Sequence, residues 1–172
     1  LGKTRTPKHN LGIASLLSFV AGLVNVVGFF AVQKLTTNVT GHFAFFVDEV
    51  FKLKFENALH VALFVIFFLF GSFFANFMVE VYSRIRENQI YVLPICTEAF
   101  ILTIIAFQGN DFIKESPDLI AYCLLFAMGM QNSLVARISK SVVRTTHLTG
   151  LFTDLGIEIS QLFFYKDEIH KF

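Results

Sequence analysis

The residues best equipped for chemistry in this chain are hydroxyls and amides, and they come in two matching groups. Thr36-Thr37-Asn38-Val39-Thr40-Gly41, followed by Phe43, and Thr145-Thr146-His147-Leu148-Thr149-Gly150, followed by Phe152, both read T-T-x-x-T-G-x-F. Each follows a long apolar segment with its own G-x-x-N, Gly22 to Asn25 in the first and Gly129 to Asn132 in the second. Thr and Asn side chains bond nearby backbone groups and so favour turns and helix starts. A helix start offers free N–H groups to an anion or a polar solute. Repeated breaks of this kind in lipid are the expected sign of paired discontinuous helices around a central site. The candidate solute-binding set is therefore Asn25, Thr36, Thr37, Asn38, Thr40, Gly41, Gln131, Asn132, Arg144, Thr145, Thr146, Thr149 and Gly150, with Arg144 placed to hold an anion.

One carboxylate adds a second kind of chemistry. Glu98 lies in the middle of the apolar run Ile90 to Phe107. A charge there is costly unless it is paired or protonated, which makes Glu98 a candidate proton relay. The alternative is a neutral Glu98 bonded to a neighbouring helix. Pro94, one turn earlier, is a candidate kink. Catalytic patterns are missing: there is no clustered metal-ligand spacing, nucleophile elbow or phosphate loop. His42, His60 and His147 are scattered and read as structural or interfacial. Cys96 and Cys123 each stand alone in an apolar run and read as buried thiols. No catalytic residue, metal or cofactor is expected, and the chain is not read as an enzyme.

The elements that must position these residues follow from composition. Hydrophobic residues make up 55% of the 172 and charged residues 16%. The apolar share exceeds that of ordinary globular chains and sits in runs about as long as a bilayer is thick, so the lipid bilayer is the first partner. A formal net charge of +1 argues against a nucleic-acid partner. Four spans are expected: Leu11 to Val32, Ala58 to Val79, Ile90 to Phe107 and Leu119 to Ala136. The first has Ala14, Ser18 and Gly22 at four-residue spacing, then Asn25, a small-residue face suited to helix contacts. Gly71 and Ala75 make a similar pair, and Glu80 can reach Arg84 at i+4. Gly41 to Phe51 is apolar but too short to span, and the segment from Gln108 to Asp118 reads as an acidic loop.

Basic residues in the N-terminal tail, around Arg84 and Arg86, and from Arg137 to Arg144 place those segments in the cytoplasm. Lys34, Lys52 and Lys54 count against that topology, because they fall on the opposite side. Three spans separate the two T-T-x-x-T-G units, so the second is inverted relative to the first. The chain thus reads as a single all-α membrane domain over 1–172, a polytopic helix bundle with inverted repeats and discontinuous helices. Its first repeat unit is 11–107 and its second 119–172. The second stops without two helices that the first possesses, so the sequence is expected to lack about two helices' worth of residues.

These segments resemble the YoaK-like bacterial membrane proteins, a family classed as a domain of unknown function. The resemblance rests on A-G-x-x-[DN]-x-x-G-F at Ala21 to Phe29, Thr40-Gly41, G-M-Q-N at Gly129 to Asn132, R-T-T-x-x-T-G at Arg144 to Gly150, and Asp154-Leu155-Gly156. It covers most of the chain in order. Asn25 stands where an acid is common, so no proton relay is expected at that position. The resemblance implies a six-span inner-membrane protein of unassigned substrate.

The leading functional expectation is a small transporter or permease-like protein for a small polar or anionic solute. It would sit in a bacterial inner membrane as a multi-pass protein with a cytoplasmic N-terminus, alone or as a homo-oligomer. The alternative is a non-transporting scaffold or assembly protein, in which the same Thr, Asn and Gln residues join helices. An integral-membrane enzyme is the third. A polar cavity between the breaks would favour transport. A dry core with every Thr bonded to backbone would favour the scaffold.

Overall fold

A computed structural model of the protein describes residues 7–85 and 90–139, together with Thr153, Gly156, Ile157 and Ile159. Among the described residues five helices run in order: α1 (Pro7–Val32), α2 (Val39–Phe51), α3 (Phe55–Ser83), α4 (Val92–Glu115) and α5 (Pro117–Ile138). Among the described residues there is no strand. The segments His9–Val32, Phe55–Ser83 and Pro117–Ile138 are long and apolar enough to cross a membrane, and the apolar part of α4, Val92–Phe107, is shorter. Outward-facing Leu16, Phe19, Phe30, Leu69 and Phe73 are all exposed. An apolar exterior of that extent suits a hydrocarbon solvent rather than water.

Two expectations about α4 change. The helix starts at Val92, which puts Pro94 in its first turn. The missing N–H there has no intrahelical partner to lose, so Pro94 opens the helix instead of kinking it. The expected acidic loop is mostly helix as well. Helix α4 runs on to Glu115, and only Ser116 separates it from α5, which opens on Pro117. The extension is anchored by Ile113, which packs on the cluster of Ile120, Ala121, Leu124 and Leu125.

Helix α5 is the buried centre. Leu125, Met128, Met130, Gln131, Leu134 and Val135 are among its fully enclosed residues. Helix α3 runs parallel to it: Phe64 and Phe67 contact the Tyr122 ring, Phe70 and Phe74 contact Phe126, and Glu80 pairs with Arg137 at 2.8 Å. Helices α1 and α4 run antiparallel to it. Leu17 meets Gln131 while Gly28 meets Leu124, and Ile95 packs with Met130 and Leu134 while Ile105 packs with the Leu124 cluster. The Glu80–Arg137 pair, supported by Asn76 at 2.5 Å from Arg137 Nη1, replaces the expected pairing of Glu80 with Arg84. Arg137 gains two acceptors on α3 there, where Arg84 sits at the C-cap of α3 itself.

The tightest contact is between α3 and α5. A Cβ added at Gly71 would overlap the Phe126 carbonyl oxygen, and one added at Gly129 would overlap that of Phe68. The backbones therefore touch where each helix offers a glycine, as helices in lipid prefer. Gly129 thus faces α3. Gly22 is exposed with nothing near its Cβ position. The buried face of α1 uses Ala14, Ala21 and Gly28, a seven-residue spacing, so Ser18 bonds back to the Ala14 carbonyl at 2.8 Å and Gly22 turns outward. Cys96, expected to be buried, is exposed on the outer side of α4, while Cys123 is half-buried.

Replacing Gly71 by Ala should lower stability by about 1–3 kcal/mol, the usual cost of overpacking a closed contact. Gly22→Ala should be neutral or stabilising, because it only improves helix propensity. Thermal unfolding of both variants in detergent checks the pair. Equal midpoints would show that the α3–α5 crossing is looser than described.

Candidate functional site: a helix break and the cleft beside it

The first break is built by a chain reversal. Helix α1 ends as the Gln33 N–H bonds the Phe29 carbonyl at 2.8 Å and Gln33 takes a left-handed φ of 54°. That conformation turns the chain back along α1 instead of away from it. Thr36 arrives beside Asn25, two turns before the helix end, and is fully buried. Its backbone would be orphaned there without a partner. Asn25 supplies one: its Oδ1 accepts from Thr36 N at 3.1 Å, Thr37 N at 3.2 Å and Thr36 Oγ1 at 3.3 Å. Gly28 makes room on the next turn, since a Cβ there would lie 2.8 Å from Thr36 Cγ2 and 3.1 Å from Leu124 Cδ1.

Helix α2 then begins with Asn38 as its N-cap, whose Oδ1 accepts from Gly41 N at 3.0 Å. Thr40 and Gly41 occupy its first turn. Buried His42 donates from Nε2 to the Leu35 carbonyl at 2.5 Å and lies against the Phe64 ring. The N–H groups of Thr36, Thr37, Gly41 and His42 are thus bonded internally. The expectation that this break offers those groups to an anion is corrected: Asn25 and Asn38 consume them.

A cleft of about 600 Å³ opens beside the break. Phe29, Phe45 and Phe64 form its apolar wall, and Gln33, Lys34, His42, Glu49, Asn57, His60 and Asp118 bring polar groups. Lys34 Nζ lies 4.0 Å from Asp118 and 5.7 Å from the centre of the Phe64 ring. Glu49 accepts from Asn57 Nδ2 at 3.0 Å. Four helices and the break contribute, so no local motif announces the cleft. The one signal was Lys34, a cation that the charge pattern could not accommodate and whose mate is Asp118.

The remaining candidates divide. Gln131 is buried and its Nε2 donates to the Leu17 carbonyl at 2.9 Å. Asn132 is half-buried beside it. Glu98 is 4% exposed and faces other helices. Arg144, Thr145, Thr146, Thr149 and Gly150 lie outside the described residues. Among the described residues, no group of three or more His, Cys, Asp or Glu side chains could hold a metal ion.

Burial lowers the pKa of His42 from its ordinary 6.5; the bond to Leu35 works the other way, and the nearby Lys34 charge adds to the lowering. The neutral ring that burial favours still donates from Nε2 to Leu35.

The fold and the break define an all-helical membrane protein whose first long helix turns back on itself. The chain belongs to the family described as Protein of unknown function (DUF1275), whose model matches residues 13–172. It is similar to the UPF0700 transmembrane protein YoaK of Bacillus subtilis (strain 168), with 24% identity over 160 residues, covering 91% of this chain and 70% of that protein. No solved structure matches.

Only an acceptor is used at position 25, so Asn25→Asp should keep the break, and Asn25→Leu should cost on the order of 2 kcal/mol or more by stranding buried N–H donors. Thermal unfolding in detergent separates them, and equal losses would show that the oxygen is not the feature that matters. For His42, the unfolded chain binds a proton near its ordinary pKa of 6.5 while the folded chain resists it. Stability is therefore complete above that pH and should fall as the pH drops through the window beneath it. His42→Gln should flatten the fall, and an unchanged pH profile in that variant would assign the dependence to other groups.

Proposed function

We propose that the protein is a small permease-like membrane transporter for a small polar solute, and that the cleft beside the first break is part of its solute path. The observation that carries this reading is a cleft with an aromatic wall and both signs of charge, bounded by a re-entrant break. Pockets of this size with a few convergent polar groups are where solutes bind. Lys34 on one side, with Glu49 and Asp118 on the other, suits a solute that carries both charges better than a simple anion. The bonded state of the break N–H groups supports the same preference. The antiparallel setting of α1 and α5, each followed by a T-T-x-x-T-G stretch, is the one that inverted repeats require. On this reading the protein is a multi-pass component of a bacterial inner membrane, its N-terminus is cytoplasmic and it is not an enzyme. Arg144, Thr145, Thr146, Thr149 and Gly150 are included in the proposal on the sequence match of the second T-T-x-x-T-G stretch to the first.

A scaffold or assembly role is the second reading. It is favoured by one observation: Asn25, Thr36 and Asn38 are all spent on internal bonds.

Uptake by the full-length protein in liposomes, screened over amino acids and other small zwitterions with small anions as comparison, decides between the two. Transport of a zwitterion is expected, with Lys34→Ala and Glu49→Gln each reducing uptake about tenfold, the effect of losing a hydrogen bond to a charged group. No uptake of any solute by folded protein, or undiminished uptake by both variants, would favour the scaffold.

A further inference from the structure

Two buried oxygens in the centre of the bundle have no hydrogen-bond partner among the described residues: Oε2 of Glu98 on α4 and Oε1 of Gln131 on α5. They lie at a similar level of the bundle. Ile95 and Ile101, which flank Glu98 on α4, pack against the cluster that contains Met130 and Leu134, which flank Gln131 on α5. One turn on, Ile101 and Leu102 pack against the cluster that contains Ala127 and Met128. Glu98 is 4% exposed and Gln131 is 1% exposed, so bulk solvent does not reach either side chain.

The orientation of the Gln131 amide is set by its other end. Its Nε2 donates to the Leu17 carbonyl of α1 at 2.9 Å, so Oε1 is the end left over, and it can only accept. An ionised Glu98 would add a second acceptor, in a cluster that also holds the buried Tyr91 of the segment entering α4. A protonated Glu98 is a donor, and one proton satisfies both oxygens. Charged groups on the packed helices do not supply an alternative. Arg137 of α5 is held by Glu80 and Asn76 of α3. Asp118 of α5 and Glu56 and His60 of α3 are at the opposite end, beside the break. Cys123 and Tyr122 are about two turns from Gln131 along α5. His9 of α1 is about two turns before Leu17.

We propose that Glu98 binds a proton inside the bundle and donates it to the amide oxygen of Gln131, so that α4, α5 and α1 are joined through a single proton-binding site. The chain of contacts runs from the Glu98 carboxyl to Gln131 Oε1, and from Gln131 Nε2 to the α1 backbone four turns before the helix break. Loss of the proton leaves a carboxylate facing an amide oxygen and drives α4 away from α5. The site stands without the transport reading; within that reading it supplies the coupling ion.

Infrared spectroscopy of the full-length protein in lipid nanodiscs, with no solute present, tests this. A protonated-carboxyl carbonyl band is expected at neutral pH. Glu98→Gln should abolish it, and Gln131→Leu should shift it to the higher frequency of a carboxyl without a hydrogen-bonded partner. If Glu98→Gln fails to fold, the wild-type band and its shift in Gln131→Leu still decide. Absence of the band at neutral pH, its persistence in Glu98→Gln, or an unshifted band in Gln131→Leu would overturn the proposal. A band with the expected behaviour in a protein that transports nothing would leave the proton site standing and remove the transport reading alone.

Discussion

A backbone N–H left unpaired in apolar surroundings costs several kcal/mol, and this chain turns back among its own apolar helices after Val32. The structure depends on how that debt is met. One carboxamide oxygen, Asn25 Oδ1, accepts from two successive backbone N–H groups and a hydroxyl. That bond set holds Thr36 against α1, and the rest of the site follows from it. With Thr36 seated over Gly28, the next residues reach Asn38, which caps α2 and aims it along α3. Helix α2 in turn brings His42, Phe45 and Glu49 to the cleft.

The same constraint explains why the N–H groups of Thr36, Thr37, Gly41 and His42 are bonded within the break. N–H groups that must survive in a low-dielectric bundle are stable only when they are bonded, so the side chains that make the break possible also occupy it. Polar capacity left for a ligand appears one layer out, where Lys34, Glu49, Asn57 and Asp118 line the cleft and their bonds are long, exposed or exchangeable. Asn25 and Thr36 hold the geometry of the break, and Lys34, Glu49, Asn57 and Asp118 line the cleft beside it. The same constraint also accounts for the D-or-N character of position 25 in the resemblance, since a carboxylate accepts the same three bonds as the amide oxygen.

At the core, α5 plays the corresponding role for the bundle. It is enclosed by α3 in parallel and by α1 and α4 in antiparallel, and the glycine contact with α3 sets the closest approach. Among the polar side chains buried in the described part of this core are Glu98 and Gln131. Burying either alone is unfavourable, whereas the proton proposed above would make them a link between three helices.

Much of this was legible in the sequence, because its causes are local. Long apolar runs dictate helices of membrane length, and a Thr-Thr-Asn stretch without periodicity dictates a break whose side chains favour a helix start. Those are consequences of transfer energy and of side chains bonding their own backbone. Small-residue spacing was misleading where partners matter: the four-residue series Ala14, Ser18, Gly22 looked like the contact face, yet packing selected Ala14, Ala21 and Gly28. A helix surface holds several such series, and only the position of α5 decides which is buried. The same holds for Gly129, matched to Gly22 by motif but to Gly71 and Phe68 by contact, and for Glu80, whose partner is Arg137 across the bundle instead of Arg84 along the helix. The cleft was illegible for the same reason. Lys34, the Glu49–His60 segment and Asp118 are far apart in the chain, and only the docking of α2 on α3 and of the break on the start of α5 makes them neighbours. Sequence determined the elements and the local bonds of the break; tertiary structure decided which faces meet, because burial and pairing depend on residues that no local pattern contains.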